Sequence, residues 1–210
     1  MRNLTKKPTH TSLGFPFIVG PVAREFCKVS HPTLDHDSME GVYITSVTGP
    51  RDFFCQLTKM SNQLENLMND IEEHYRPLGG NEGSYTQPRV GEACCAMFSE
   101  DDGWYRARVT EITGDTIGVC YIDYGNSETV SLARVKVLTS KFAIPEGHGF
   151  CASLDVTSDV DVANFEASVL EQELSAKIVK NKGAGFYEVE LSGLDGVRLF
   201  EAGAKDSQGI

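Results

Sequence analysis

Trp104-Tyr105-Arg106-Ala107-Arg108-Val109 and Tyr121-Ile122-Asp123-Tyr124-Gly125-Asn126-Ser127-Glu128 are the two runs on which the fold of this chain turns. In a strand from Trp104 to Ile112, Tyr105, Ala107 and Val109 fall on one side and Arg106 and Arg108 on the other. Gly114-Asp115 turns the chain and Thr116 to Ile122 forms the next strand. Gly125-Asn126 turns it again, and Ser127 to Val130 begins another. Upstream, Glu92 to Phe98 is an apolar strand that ends at the acidic turn Glu100-Asp101-Asp102-Gly103. Short strands spaced roughly ten residues apart, with Gly/Asp turns between them, predict a small and strongly curved β-barrel.

Outward from this centre the texture changes. Residues 1–37 are rich in Thr, Pro, His and Ser and read as a leader, flexible at its start. Gly41 to Ile44 and Asp52 to Leu57 read as strands joined at Gly49-Pro50. Leu64, Leu67, Met68 and Ile71 recur at helical spacing after Ser61, which is placed to act as N-cap, and Pro77 with Gly79-Gly80 ends the helix. Beyond Pro145, Cys151 to Val156 reads as a strand. Val162 to Leu170 reads as a short amphipathic helix, and Ala176 to Lys180 and Phe186 to Leu191 as further strands. The expected organisation is two β-rich centres joined by a long helix.

Charge and cysteine usage bound the function. The net charge of −11 repels phosphate backbones and favours basic partners. Arg2, Lys6, Lys7, Arg24 and Lys28 against Glu25 make the first thirty residues locally basic. Cys27, Cys55, Cys94, Cys95, Cys120 and Cys151 form no CxxC pair and have no companion histidine spacing, so neither zinc nor a disulfide framework is expected. No stretch is long enough to span a bilayer. Pro16 and Gly20 interrupt the apolar run around Phe15–Val19, so no signal segment is expected, and the expected setting is a reducing one, cytosolic or nuclear.

Phe98, Tyr105, Tyr121 and Tyr124, with the short amide of Asn126, are the candidate binding groups. Ring faces attract cations within about 6 Å, most strongly where water is excluded. A methylated guanidinium keeps its charge, sheds part of its hydration and can stack between flat rings. Four aromatics in a small barrel are more often core than cage. Strict alternation also sets Tyr121 and Tyr124 on opposite faces, so both line one cup only where the strand ends or bulges near Asp123. Periodicity leaves that open.

The order Phe98, Trp104 to Val109, then Tyr121 to Glu128 resembles the signature of extended Tudor domains over residues 38–200. The resemblance implies a mainly β protein with helices (α+β), in which a Tudor β-barrel is inserted into a staphylococcal-nuclease-like OB fold and joined to it by a long helix. The implied parts are a first OB segment at 38–60, a linker helix at 61–77, the Tudor barrel at 88–140 and a second OB segment at 146–202. It further implies a dimethylarginine cage of Phe98, Tyr105, Tyr121, Tyr124 and Asn126, with Trp104 in packing and Asp123 supporting the loop. The implied ligand is symmetrically dimethylated arginine in Arg-Gly or Arg-Ala motifs of a partner protein. That partner would be a PIWI-type Argonaute N-terminal tail in the piRNA pathway, met in perinuclear germ granules. No cofactor and no metal are implied.

Other chemistries have weaker footing. Asp155, Asp159 and Asp161 flank a predicted turn and helix start, where Asp serves capping, and no arginine pair accompanies them, so no enzyme is expected. Residues 141–210 carry twelve Asp/Glu against six Lys/Arg, which argues against nucleic acid, although Lys177, Lys180 and Lys182 make a local basic edge. A methyl-independent scaffold remains the rival protein-binding reading. Truncating Tyr121 or Asn126 is expected to remove ligand binding at little cost in stability, and truncating Trp104 to damage folding.

Overall fold

The computed structural model describes residues 29–79, 82–85, 87–156 and 161–200. In chain order it contains β1 (Met39–Gly49), β2 (Asp52–Leu57), α1 (Ser61–Tyr75), β3 (Ala93–Met97), β4 (Trp104–Thr113), β5 (Thr116–Tyr121) and β6 (Ser127–Ser131). There follow β7 (Val135–Val137), α2 (Ser140–Ala143), β8 (Gly149–Ser153), α3 (Val162–Val169), β9 (Glu173–Gly183) and β10 (Phe186–Ser192). The chain divides into two units. One joins Pro32–Lys59 to the chain from Gly149 onward; the other comprises Met60–His148 and the described residues up to His31.

The discontinuous unit is a closed barrel with strand order β1-β2-β8-β10-β9. Antiparallel β1 pairs both β2 and β9, which closes the ring, while β8 lies parallel to β10. Alternation fills the interior: Leu174, Ala176 and Ile178 from β9 and Tyr187, Val189 and Leu191 from β10 are all buried. At roughly 1.5–3 kcal/mol for each large apolar side chain removed from water, this layer is what makes the ring stable. Asp161 caps α3 by accepting from the Ala163 N–H at 3.0 Å. The helix then buries Phe165 and Val169, with Phe165 edge-on to Phe53 at 5.5 Å. Asp159 lies outside the described residues, as do residues 1–28 of the leader and Cys27. Lys177 pairs with Asp37 and Lys182 with Glu188, so two of the three basic side chains singled out in the sequence are neutralised by acids.

The second unit is a five-stranded sheet in the order β6-β5-β4-β3-β7. Period-two alternation gives it two apolar faces. Cys94 and Ala96 of β3, Ala107 and Val109 of β4, and Ile117, Val119 and Tyr121 of β5 gather in one cluster with Phe98. Ala93, Cys95 and Trp104 point the other way, onto Leu67, Ile71 and Tyr75 of α1 and onto Phe142. Trp104 and Tyr105, neighbours in sequence, therefore serve opposite faces. The β4–β5 register slips by one residue between Val109 and Glu111. Gly118 is needed beside that bulge, because a Cβ there would stand 2.8 Å from Thr110 Oγ1.

Local expectations change at several points, among them β8, which runs Gly149–Ser153, and β9, which runs Glu173–Gly183. Met60, not Ser61, occupies the N-cap of α1, and no side chain caps the helix. A 3-10 turn over Thr58–Met60 runs straight into the helix, leaving no extended residue from which a side chain could cap. Strand β1 extends well beyond Gly41–Ile44, because bulges let it follow the barrel while keeping its pairing. The short β7 and α2 had no periodic signal of their own.

Candidate aromatic cage

The cage geometry begins with where β5 stops. The strand ends at Tyr121, and Ile122 to Tyr124 form a turn. The Tyr121 carbonyl accepts from both Tyr124 N–H at 3.2 Å and Gly125 N–H at 2.8 Å, while Tyr121 N–H donates to the Asn126 carbonyl at 2.9 Å. Gly125 holds φ near +81°, a conformation that costs a residue with a Cβ and suits glycine. This turn breaks the two-residue period, so Tyr121 and Tyr124 both reach Tyr105, at 5.8 and 5.4 Å between ring centroids.

Phe98, Tyr105 and Tyr121 are nearly perpendicular to one another. The interplanar angles are 90° for Phe98–Tyr105, 90° for Phe98–Tyr121 and 79° for Tyr105–Tyr121. Tyr124 stands at 88° to Tyr105. Phe98 and Tyr121 form the deep side, at 5% and 2% exposure, and merge with the apolar cluster on that face of the sheet. Tyr105 and Tyr124 pack against that cluster and, like Asn126, are half-buried. The four rings thus form one contact set, and Asn126 adjoins it through its backbone bond to Tyr121. The deep burial of Tyr121 corrects the expectation that its truncation is harmless to the fold, because its ring is part of the core.

Acids surround the rings, and sequence reading had missed two of them. Tyr105 Oη–H donates to Asp101 Oδ2 at 2.6 Å, and Tyr121 Oη–H donates to Glu128 Oε1 at 2.5 Å. Burial, followed by these carboxylate bonds, pushes both phenols far above their usual range, and burial does the same to Tyr124. All three rings therefore stay neutral. Gly103 allows Tyr105 its position: a Cβ there would lie 2.9 Å from the tyrosine Cε2 and 3.0 Å from Asp101 Oδ1. The Phe98 loop is held by Arg134, which donates to the Met97 and Phe98 carbonyls at 3.1 and 2.7 Å and pairs with Asp102 at 2.6 Å.

Asp123 fixes the turn from behind. It is 1% exposed and accepts from Arg106 Nε at 2.9 Å, from Arg106 Nη2 at 2.6 Å and from His148 N–H at 3.0 Å. Burial alone would raise its carboxyl, but the hydrogen bonds from His148 and Arg106 outweigh it and hold the group down at about 2. Arg106, wholly buried, donates further to the Phe142, Pro145 and Glu146 carbonyls. Trp104 is 5% exposed and packs on Tyr75 at 5.5 Å, while its backbone N–H donates to the buried Glu72 carboxylate at 3.2 Å. Among the described residues no group of three His, Cys, Asp or Glu is placed to hold a metal ion. Cys55 and Cys95 are buried thiols, and no described helix is long and apolar enough to cross a membrane.

Comparison with known proteins agrees with this architecture. The human TDRD1 extended Tudor domain, in complex with a symmetrically dimethylated peptide, superposes with a TM-score of 0.71 at 26% identity, covering 79% of this chain and 84% of that one. The extended Tudor domain of Drosophila melanogaster Tudor-SN gives 0.70 at 27% identity, covering 77% and 79%. In sequence, the chain is 32% identical to human Tudor domain-containing protein 1 over 66% of its own length and 11% of the relative's. It is 36% identical to Drosophila melanogaster staphylococcal nuclease domain-containing protein 1 over 50% of its length and 11% of the relative's. The chain thus spans about a tenth of the length of these relatives. The Tudor domain profile matches residues 34–152, more than half of the sequence, and with the two-unit fold it establishes that this chain belongs to the Tudor-domain family, as an extended Tudor domain.

Proposed function

We propose that this chain reads methylated arginine on a partner protein, holding the guanidinium against Phe98, Tyr105, Tyr121 and Tyr124, with Asn126 as hydrogen-bond acceptor. The observation that carries the reading is the right-angled set of Phe98, Tyr105 and Tyr121. Three perpendicular planes are the walls of a corner. A cation at ordinary contact distance from each wall, about 3.5–4.0 Å, lies within the ~6 Å over which a ring face attracts it. The half-buried Tyr105 and Tyr124 are the side from which a ligand enters.

Methylation matters in such a site because it lowers the hydration that must be given up without removing charge. The acids Asp101 and Glu128 add a negative field that suits arginine-rich segments. The reading extends to symmetric dimethylation in Arg-Gly or Arg-Ala motifs on a tail of the PIWI type. Similar domains are known in complex with a dimethylarginine-containing MILI peptide, with Aubergine and with a Piwi N-terminal peptide. In this role the module binds a partner and catalyses no reaction, and its setting is cytoplasmic, including germ granules.

Amide chemical-shift mapping tests the reading. Titration with symmetrically dimethylated arginine in a short Arg-Gly peptide should move the resonances of Tyr105, Tyr124 and Asn126 first. Shifts confined to other surfaces would replace the cage with a methyl-independent scaffold.

A further inference from the structure

We infer that Glu128 is a positioning residue for the cage: its carboxylate makes the Tyr121 ring a stronger cation acceptor and ties the wall carrying Phe98 to the wall carrying Tyr121. This inference rests on the methylarginine reading and names a determinant of its charge selectivity outside the ring set.

One oxygen does both jobs. Glu128 Oε1 accepts from Tyr121 Oη–H at 2.5 Å and from Ser99 N–H at 3.2 Å. Ser99 directly follows Phe98, and Tyr121 ends β5, so the same carboxylate joins two segments that come from different strands. Glu128 reaches both because β6 pairs β5 with Glu128 opposite Val119.

A hydroxyl bonded to an ionised carboxylate makes a short, charge-assisted bond. The bond moves electron density toward the phenol oxygen and its ring, and the attraction of a ring face for a cation is electrostatic. Tyr121 keeps its proton, since burial and Glu128 both oppose its ionisation, so the negative charge stays on Glu128 and acts through the ring. Asp101 repeats the arrangement at Tyr105, accepting the phenol hydrogen bond on Oδ2 and the Gly103 N–H at 2.8 Å on Oδ1. Two walls of the cage are thereby backed by carboxylates, and Phe98, with no hydroxyl, is held by its loop.

The test is a double-mutant cycle read by calorimetry. Wild type, Glu128→Gln, Tyr121→Phe and the double variant are titrated with a symmetrically dimethylated Arg-Gly peptide and with the unmodified peptide. Glutamine keeps an acceptor oxygen for Tyr121 and Ser99, so the fold is retained, and thermal melting verifies it. Glu128→Gln should weaken methylpeptide binding about five- to tenfold, the scale of a cation–π contribution. That loss should vanish in the Tyr121→Phe background, where no hydroxyl links acid to ring. An equal loss in both backgrounds would show a through-space field and overturn the inference, as would no loss at all. Asp101→Asn, expected to weaken binding in the same way through Tyr105, is the second variant should Glu128→Gln unfold. A wild type that does not distinguish the two peptides removes the reader assignment itself. One that does, with Glu128→Gln unchanged, removes this inference alone.

Discussion

Arg106 and Asp123 meet as a two-pronged ion pair, Nε to Oδ2 at 2.9 Å and Nη2 to Oδ1 at 2.6 Å, with neither side chain more than 1% exposed. The pair links β4, which carries Tyr105, to the turn that carries Tyr124 and Asn126. Breaking one partner leaves a buried charge without compensation, typically a loss of about 3–5 kcal/mol. Asp123→Ala should therefore lower the urea midpoint sharply and abolish peptide binding along with it. A variant that melts like wild type would show that the pair does not hold the turn.

The same carboxylate gives the fold an acid limit. Burial works to raise its pKa, yet bonds from His148 and Arg106 bring it below the usual value, to about 2. Its folded pKa being the lower one, its stabilisation is complete above pH ~4 and is lost as pH falls from there through about 2, on the order of 2 kcal/mol in all. Denaturant melts between pH 5 and pH 2 should show that loss. Asp123→Asn, which has no carboxylate to protonate, should show a smaller one, and identical slopes would rule the pair out as the cause.

Truncating the cage should separate stability from binding. Tyr121→Ala removes a core ring and should cost about 3–5 kcal/mol, as should Trp104→Ala on the opposite face. Asn126→Ala, half-buried in a turn, should stay within about 0.5 kcal/mol of wild type and still lose methylarginine binding. Thermal melts beside peptide titrations read both quantities. Equal destabilisation of all three would assign Asn126 to structure and not to the ligand.

Gly103→Ala tests whether the seat of Tyr105 matters. The new methyl would meet the tyrosine edge at 2.9 Å and Asp101 Oδ1 at 3.0 Å, so the ring or the acid must shift. Overpacking of this kind costs about 1–3 kcal/mol, and peptide affinity should fall as the wall moves. Retained affinity would show that the ring adapts without consequence.

Much of this was legible because local chemistry and tertiary packing agree. The alternation of Trp104 to Val109 assigns Tyr105 to one face and Trp104 to the other, and the Gly125-Asn126 turn carries the break that brings Tyr124 back beside Tyr121. Arg106 was not legible as a core residue. Alternation placed it opposite Tyr105 together with Arg108, where arginine in sequence signals solvent, and its partners come from Asp123 and from carbonyls at Phe142, Pro145 and Glu146. Nothing local announces contacts at such separation. The one clue was Asp123 itself, an acid between Ile122 and Tyr124 at the edge of an apolar run. Glu128 was hidden in the same way, since its role depends on the β5–β6 register that sets it near Tyr121.

The central claim is met most directly by calorimetric titration with one Arg-Gly peptide in three states: unmodified, symmetrically dimethylated and asymmetrically dimethylated. The account predicts tightest binding to the symmetric mark, at least tenfold over the unmodified peptide (about 1.4 kcal/mol), and loss of that difference in Asn126→Ala. Equal affinity for all three peptides, or none for any, would contradict it.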